Sequence, residues 1–199
     1  MRFFKSLFSN RFVIKGCENK LNIAKSAYLR KSKIKIYGNN NLVEIDENCY
    51  LHNFYLRIGF PDTPINDCVV KIGSSTTFNS CDIQLGESSS SLLIGNDCMF
   101  SFDVEIACTD THAITDLDGN LLNLGKSIEI GTHVWVCKEV KILKNTKIPN
   151  NCIVAQNSIV TKKFDKENCV IAGNPAKVVK EKINWHRKRT EILRGNLYA

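Results

Sequence analysis

Aliphatic residues recur at every sixth position in the C-terminal half of the chain. They are Ile130, Val136, Ile142, Ile148, Val154 and Val160. A period of six matches neither the roughly 3.6 residues of an α-helical turn nor the alternation of an ordinary strand. Gly131 and Pro149 would also interrupt either element. The pattern therefore predicts a chain that turns once every six residues.

A second position of the repeat lies four residues after each aliphatic one and favours small or β-branched side chains. Its occupants are Val134, Val140, Thr146, Cys152 and Ser158, and the last position, Phe164, is the exception. In a triangular coil, the aliphatic side chain points inward, the small one fits near a corner, and three hexads complete a turn. The same phase recurs less regularly at Ile23, Leu29, Ile45, Leu51, Ile72, Phe78, Ile94, Phe100 and Ile106. We therefore predict an all-β fold, a parallel β-helix over residues 20–172.

Two interruptions of the repeat are expected to form loops outside the coil stack. Residues 60–67 contain two prolines and predict a plain loop. The external loop at about 111–127 begins beside His112 and contains the turn signal Asp118-Gly119-Asn120, so it is the better candidate for chemistry. Residues 1–19 are predicted to cap one end of the stack, and residues 173–199 to form a hinge and a basic helix at the other.

Composition and charge narrow the class of protein only slightly. The chain has 199 residues and a formal net charge of +7, which favours acidic partners such as phosphate-bearing cofactors or acidic glycans. No apolar stretch reaches the roughly 18 residues of a membrane span, and the N-terminus lacks a small-residue cleavage site. A cytoplasmic protein is expected. Peripheral membrane contact is left open by an apolar N-terminal cluster of Phe3, Phe4, Leu7 and Phe8.

Cysteines and histidines give no sign of disulfides or of a metal site. The nine cysteines include no Cys-x-x-Cys pair, and three of them, Cys49, Cys98 and Cys152, occupy the small-residue position of the repeat. We predict that these are reduced packing residues. A zinc enzyme would need three converging histidines, and the four histidines at 52, 112, 133 and 186 form no such motif, so no metal is expected.

Three longer motifs lie within the repeat or directly after it. They are Ile130-Gly-Thr-His-Val-Trp135, the hexads through Ser158-Ile-Val-Thr161-Lys162, and Val170-Ile-Ala-Gly-Asn-Pro175-Ala-Lys-Val-Val179. In these motifs the chain resembles the hexapeptide-repeat acyltransferases, whose fold is a left-handed β-helix. With Thr109-Asp-Thr-His112 and the Asp118-Gly loop added, it looks most similar to the capsular polysaccharide and polysialic acid O-acetyltransferases of that group.

The resemblance implies a homotrimer of parallel prisms that binds acetyl-coenzyme A between neighbouring subunits. The acetyl group would pass to a hydroxyl of an acidic bacterial surface glycan, in capsule or lipopolysaccharide. His112 would be the catalytic histidine, and Trp135 would help to hold donor and acceptor at the thioester. The resemblance also implies contacts to coenzyme A from Lys138, Gln156, Thr161 and Lys162 at the pantetheine arm, and from Lys177 and Lys180 at the nucleotide end.

The chemistry of acetyl transfer suits these residue types. The acceptor hydroxyl must lose its proton as its oxygen attacks the thioester carbonyl, and histidine is the natural base near neutral pH. Asp110 or Asp103 is a candidate to fix the tautomer of His112. The indole N–H of Trp135, or a backbone amide, is a candidate donor to the oxygen of the tetrahedral intermediate. Direct transfer forms no covalent enzyme intermediate, so no cysteine is proposed as a nucleophile.

Other functions stay open at this point. An N-acetyltransferase acting on a nucleotide-linked amino sugar would share donor, fold and base, so only the acceptor separates it. A non-catalytic solenoid scaffold would give no reason for the His112 loop or for Asn174-Pro-Ala-Lys177. Nucleic-acid binding is disfavoured because the aromatic residues of the basic C-terminal segment are limited to Trp185 and Tyr198.

Overall fold

The chain winds into a triangular prism in which each turn lays one strand on each of three faces, A, B and C. A computed structural model describes residues 10–125 and 127–195 of the chain. Face A contains β1 (Arg11–Lys15), β4 (Lys33–Tyr37), β7 (Phe54–Ile58), β10 (Cys81–Leu85), β13 (Val104–Ala107), β16 (Lys141–Leu143) and β19 (Ile159–Val160). Face B contains β2 (Lys20–Ile23), β5 (Leu42–Ile45), β8 (Val69–Ile72), β11 (Ser91–Ile94), β14 (Ile128–Ile130) and β17 (Lys147–Ile148).

Face C closes the prism and carries the end of the chain. It contains β3 (Tyr28–Arg30), β6 (Tyr50–His52), β9 (Thr77–Phe78), β12 (Met99–Phe100), β15 (Trp135–Val136), β18 (Ile153–Val154), β20 (Cys169–Gly173) and β21 (Ala176–Glu181). A short helix, α1 (Thr190–Gly195), follows. No helix among the described residues is long and apolar enough to cross a membrane.

The strands of successive turns pair in parallel and in the register that the hexads predict. Ile130 pairs with Ile148 and Val136 with Val154, so one turn here takes 18 residues, or three hexads. Within the described part of the chain, the only antiparallel partners among the named strands are β20 and β21. The predicted fold, a left-handed parallel β-helix, is confirmed.

The interior is filled by the residues that the two repeat positions predict. All six aliphatic residues from Ile130 to Val160 are at most 3% exposed, and each such side chain stabilises the fold by roughly 1.5–3 kcal/mol. Cys98 and Cys152 are free and fully buried, and burial raises their pKa to about 11 and about 12. Phe78 stacks on Phe100 with ring centroids 4.3 Å apart. The predicted packing role of these cysteines is confirmed.

Corner residues adopt left-handed backbone at intervals of six. The positive-φ residues of the regular coils are His133, Glu139, Asn145, Asn151 and Asn157. Asparagine tolerates this conformation better than most residues, which accounts for its frequency at these corners.

The three edges of the prism differ in how much their length varies. From face B to face C the inward residues are always six apart, from Ile23 and Leu29 to Ile148 and Val154. From face A to face B, the connections between strands vary widely in length within the described part of the chain. The connections at this A/B edge are 16–19, 38–41, 59–68, 86–90, 108–127 and 144–146. Both loops predicted from the sequence therefore lie on one edge.

The two ends of the chain depart from the sequence expectation. Strand β1 already pairs with β4, so the coil stack includes Arg11, before the expected residue 20. At the other end the expected hinge is strand β21, which pairs with β20 and covers an edge that would otherwise be unpaired. The basic helix is confined to α1. The apolar N-terminal cluster lies outside the described residues.

Candidate active site

Hydrogen bonds among Asp110, Asn123 and Lys144, which we call the polar knot, fix the base of the external loop at the A/B edge. Asn123 Nδ2 donates to the Asp110 carboxylate (2.8 Å) and to the carbonyl oxygen of His112 (2.9 Å). Lys144, on the next coil, donates to the Asp110 carboxylate (2.6 Å) and to the Asn123 carbonyl oxygen (2.5 Å). The ammonium of Lys144 and the amide of Asn123 hold the pKa of Asp110 below its usual range. The knot therefore determines where the backbone presents His112.

The tip of this loop is closed by hydrogen bonds and exposes apolar side chains. The Asp116 carboxylate accepts hydrogen bonds from the backbone amides of Asp118 (3.0 Å) and Asn120 (2.8 Å) and closes the turn. The large apolar side chains that the loop exposes are Ile114, Leu117, Leu121, Leu122 and Leu124. So many exposed apolar side chains on a hydrogen-bonded loop indicate a surface that packs against another molecule.

The side chain of His112 is exposed, and its ring has no hydrogen-bond partner among the described residues. Neither expected acid orients the ring within one chain. Asp110 is held by Lys144 and Asn123, and Asp103 accepts a hydrogen bond from Ser80 Oγ (3.2 Å). Neither carboxylate forms a hydrogen bond with the ring within the described chain, so the expectation that Asp110 or Asp103 fixes the tautomer of His112 stays a prediction. Both contacts to Asp110 go to its Oδ2 atom.

Trp135 lies on face C, half-buried between the strands above and below it. Its ring centroid is 6.1 Å from that of Trp185, and the two planes are tilted by 45°. Trp185 is only 4% exposed and stacks on the ring of His133, with centroids 4.1 Å apart. Its indole Nε1 donates to the carbonyl oxygen of His133 (2.8 Å). One side of Trp135 is therefore bounded by a second indole.

Residues 184–187, which we call the C-terminal clasp, return along face C and are anchored at Asp97. Arg187 Nε donates to Asp97 Oδ1 (2.7 Å), and His133 Nδ1 lies 2.6 Å from Asp97 Oδ2. Partial burial acts to raise the pKa of Asp97, but the hydrogen bonds from Arg187 and His133 outweigh it and lower that pKa. Arg187 also donates to Thr77 Oγ1 (3.0 Å) and to the carbonyl oxygen of Cys98 (2.8 Å).

The residues expected to bind substrate fall into two groups on different sides of the prism. The group at the A/B edge consists of His112, Thr161 and Lys162. The group on face C or at the edge between faces C and A consists of Trp135, Lys138, Gln156, Lys177 and Lys180. In a triangular prism the A/B edge lies opposite face C. One chain therefore cannot bring His112 to its own Trp135.

A depression lies near the A/B group, although none of that group lines it, and the members of the face C group other than Trp135 are exposed. A depression of about 350 Å³ lies between Gly125 at the end of the loop and Lys163, which directly follows Thr161 and Lys162. On the other side, Lys138 forms an ion pair with Glu139 (2.8 Å). This hydrogen-bonded partner raises the pKa of Lys138.

Sequence reasoning missed the residues that hold the two candidate catalytic side chains in place. Lys144 and Asn123 act from outside any motif, so no sequence signal marks them. Trp185 had a weak signal, as one of only two tryptophans in the chain, placed within a basic segment. Its contact with His133 joins residues 52 positions apart and follows from no local pattern.

Comparison with known proteins gives relatives that match nearly the whole chain. No protein-family model matches it. The polysialic acid O-acetyltransferase of Neisseria meningitidis is 36% identical over 190 residues, which cover 87% of this chain and 88% of the relative. The crystal structure of the polysialic acid O-acetyltransferase OatWY superposes with a TM-score of 0.74 at 33% identity, covering 91% of this chain and 89% of that one. The structure of the polySia-specific acetyltransferase NeuO gives a TM-score of 0.70 at 28% identity, over 92% and 84% of the two chains.

Proposed function

Because this chain belongs to the polysialic acid O-acetyltransferases, we propose that it transfers the acetyl group of acetyl-coenzyme A to a hydroxyl of an acidic capsule glycan of the polysialic acid type. The observation that carries the proposal is the separation of His112, on the A/B edge, from Trp135, on the opposite face. Acetyl-coenzyme A is a cytoplasmic metabolite, and we place the reaction in that compartment.

The separation of the two residues favours a cyclic homotrimer with a site between subunits. If the A/B edge of one chain faces face C of the next, His112 meets Trp135 of the partner subunit, and three equivalent sites close the ring. The exposed apolar tip of the loop supports this arrangement, because it would pack against the partner. The same contact would also join the two halves of the expected coenzyme A site.

The proposed reaction is a direct transfer. The imidazole of His112 takes the proton of the acceptor hydroxyl as that oxygen forms a bond to the thioester carbonyl carbon. The carbonyl oxygen becomes an oxyanion, and the indole N–H of Trp135 from the partner subunit donates to it. The C–S bond then breaks, and the imidazolium returns the proton to the leaving thiolate.

Coenzyme A is proposed to lie in the groove between subunits. Thr161 and Lys162 would line it from the A/B edge, beside the depression that begins at Gly125. The other contributors are proposed to be Lys138, Gln156, Lys177 and Lys180 from the partner's side. Exposed ammonium groups suit the phosphates of the nucleotide end.

A thiol-release assay with acetyl-coenzyme A tests this function. We expect thiol release with polysialic acid and none with nucleotide-linked amino sugars. His112→Ala is expected to lower kcat by a factor of about 10²–10⁴ while the protein stays folded and trimeric, because general base catalysis typically contributes that much. His52→Ala, on β6 and away from the candidate site residues, is the matched control and should keep full activity. Release that requires an amino sugar would overturn the proposal in favour of N-acetyl transfer, and the absence of donor binding would favour a scaffold.

A further inference from the structure

Face A carries a concentration of basic side chains at its N-terminal end, which we call the basic patch. It consists of Arg11, Lys15, Lys33, Lys35 and Arg57. The five residues lie on three adjacent strands, β1, β4 and β7, and on β4 and β7 they alternate with buried residues such as Ile34 and Leu56. They therefore point outward from one continuous surface.

Two pairs within the patch place like charges directly opposite each other. Arg11 is in register with Lys33, and Lys35 is in register with Arg57. Like charges at facing positions of neighbouring strands destabilise a sheet. None of the five side chains forms a salt bridge within the described residues.

At two other places in the prism facing charges are complementary, although Asp82 faces Glu105 on face A. Glu44 faces Lys71 on face B and forms an ion pair with it at 2.8 Å. Glu105 faces Lys141 further along face A and forms an ion pair at 2.9 Å. The parallel coils thus pair opposite charges readily. The unpaired cations of the basic patch need a reason other than stability.

Aromatic rings accompany these cations. The guanidinium carbon of Arg57 lies 4.1 Å from the ring centroid of Phe60, and Lys35 Nζ lies 5.5 Å from that of Tyr55. Arg57 donates to the neutral Gln84 (2.9 Å), and its Nε has no hydrogen-bond partner. A depression of about 360 Å³ runs beside Lys33, Lys35 and Tyr55. Cations and rings around a shallow depression suit a ligand that combines carboxylates with sugar rings.

The patch is continuous with the edge that carries the candidate base. From Lys35 and Arg57 the same outward row passes to Gln84 and then to Ala107, from which the chain enters the loop of His112. The row itself contains no acid between Arg57 and Ala107, and Asp82 and Glu105 lie in the adjacent row, where Asp82 accepts a hydrogen bond from Gln84 (3.3 Å). At a spacing of about 4.8 Å between strands, these two residues are about 10 Å apart. One extended polymer can therefore span both places.

We propose that the basic patch binds a distal part of the acidic polymeric acceptor and delivers its nearer sugars to the A/B edge. This proposal rests on the proposed function for the identity of the polymer. It commits to an acidic polysaccharide because the surface is flat, cationic, set with aromatic rings and continuous with the candidate active site. An anionic membrane and a second copy of the chain are the alternatives that the experiment separates.

The decisive variant is Lys35→Glu, which would make the facing pair with Arg57 complementary, as Glu44 and Lys71 are. We expect the KM for polysialic acid to rise about tenfold or more, with unchanged kcat, unchanged KM for acetyl-coenzyme A and unchanged KM for short oligomers of the same sugar. Thermal stability should stay the same or increase, because a repulsive pair is replaced by an attractive one. If Lys35 had only a structural role, Lys35→Glu would lower the thermal stability.

A matched control and a binding measurement make the test independent of catalysis. Lys25→Glu makes the same change of charge at an exposed lysine between β2 and β3 that forms no ion pair among the described residues, and it should leave the KM for the polymer unchanged. Binding of polysialic acid is also measured with His112→Ala protein, with and without Lys35→Glu, at low and high salt. We expect Lys35→Glu to weaken binding about tenfold at low salt and less at high salt, because salt screens the charges.

Each other outcome overturns the proposal in a recognisable way. Equal losses for long polymer and short oligomers would place Lys35 in the reaction site itself. Loss of the trimer in Lys35→Glu would make the patch a subunit contact. Binding to vesicles of phosphatidylglycerol and phosphatidylcholine, without binding of the polymer, would make it a membrane surface. If the polymer binds to the patch but no acetyl is transferred, the proposed function fails and the binding site stands.

Discussion

Lys144 shows how a single residue outside every motif can control a candidate catalytic group. Its side chain is only 18% exposed, and its ammonium joins the coil above the loop to both ends of the loop, at Asp110 and Asn123. His112 has no partner for its ring within the described chain, so its position depends on this backbone knot. Lys144 thus positions the exposed imidazole of His112 indirectly, by holding the backbone on either side of it.

Replacing Lys144 should therefore impair catalysis without unfolding the protein. We expect Lys144→Met to lower kcat by a factor of about 10–100, since small displacements of a catalytic group are costly, and to leave the KM for acetyl-coenzyme A nearly unchanged. Steady-state kinetics and a thermal melt check this. Lys25→Met, which replaces an exposed lysine between β2 and β3, is the control. A loss of kcat in the control as well would show that the loss does not depend on the knot.

At the scale of elements, the C-terminal clasp ties the end of the chain to the middle of face C. Arg187 reaches Asp97 and Thr77, and Trp185 covers His133 beside Trp135. The clasp thereby limits the space open to the candidate oxyanion donor. A chain that ended at β21 would leave Trp135 open on this side.

The clasp should loosen in acid. Because the pKa of Asp97 is lowered in the folded protein, its contribution is fully present above the ordinary Asp pKa of about 3.9 and is lost as the pH falls through the lowered value. The near-ultraviolet circular dichroism of Trp135 and Trp185 reports the clasp, since these are the only two tryptophans of the chain. We expect a constant signal from neutral pH to about pH 4 and a loss below it.

Asp97→Asn should weaken that signal at every pH, because the amide cannot form the ion pair with Arg187. Asp62→Asn, in the plain loop at 59–68, serves as the control and should titrate like the unaltered protein. A signal that is the same in Asp97→Asn and in the unaltered protein would contradict the role assigned to Asp97.

The sequence predicted the elements of the coils but not the clasp, and the reason lies in the distance over which each is specified. A hexad such as Ile130 to Val136 defines its own strand and corner through side-chain size and spacing. The clasp depends on contacts such as Arg187 to Asp97, which joins residues 90 positions apart. His112 and Trp135 were predicted through motifs of a known family, and their separation across the prism became visible only once strands were assigned to faces.

The whole molecule is a prism whose two sets of candidate site residues face away from each other. This geometry is compatible with two kinds of protein. One is a non-catalytic solenoid, and the other is an oligomer whose active sites form between subunits. The exposed apolar loop tip at 114–124 favours the oligomer. Activity, on this view, is a property of the oligomer and not of the chain.

Mixed oligomers test this directly. His112→Ala and Trp135→Ala proteins should each be nearly inactive alone, and co-expression should restore activity, because about one site in three of a mixed cyclic trimer then contains both intact residues. Two different affinity tags verify that mixed trimers form. Mixed trimers without recovered activity would show that the two residues do not share a site between subunits.

The variable A/B edge has a consequence for how such a protein can be altered. At the B/C and C/A edges the core keeps the number of residues between strands nearly constant. At the A/B edge the connections range from three residues, 144–146, to the long loop at 108–127. Lengthening a surface loop costs only about 0.6 kcal/mol for each doubling. Acceptor specificity should therefore be changeable by exchanging the loops at this edge, while the coils and every buried side chain stay the same.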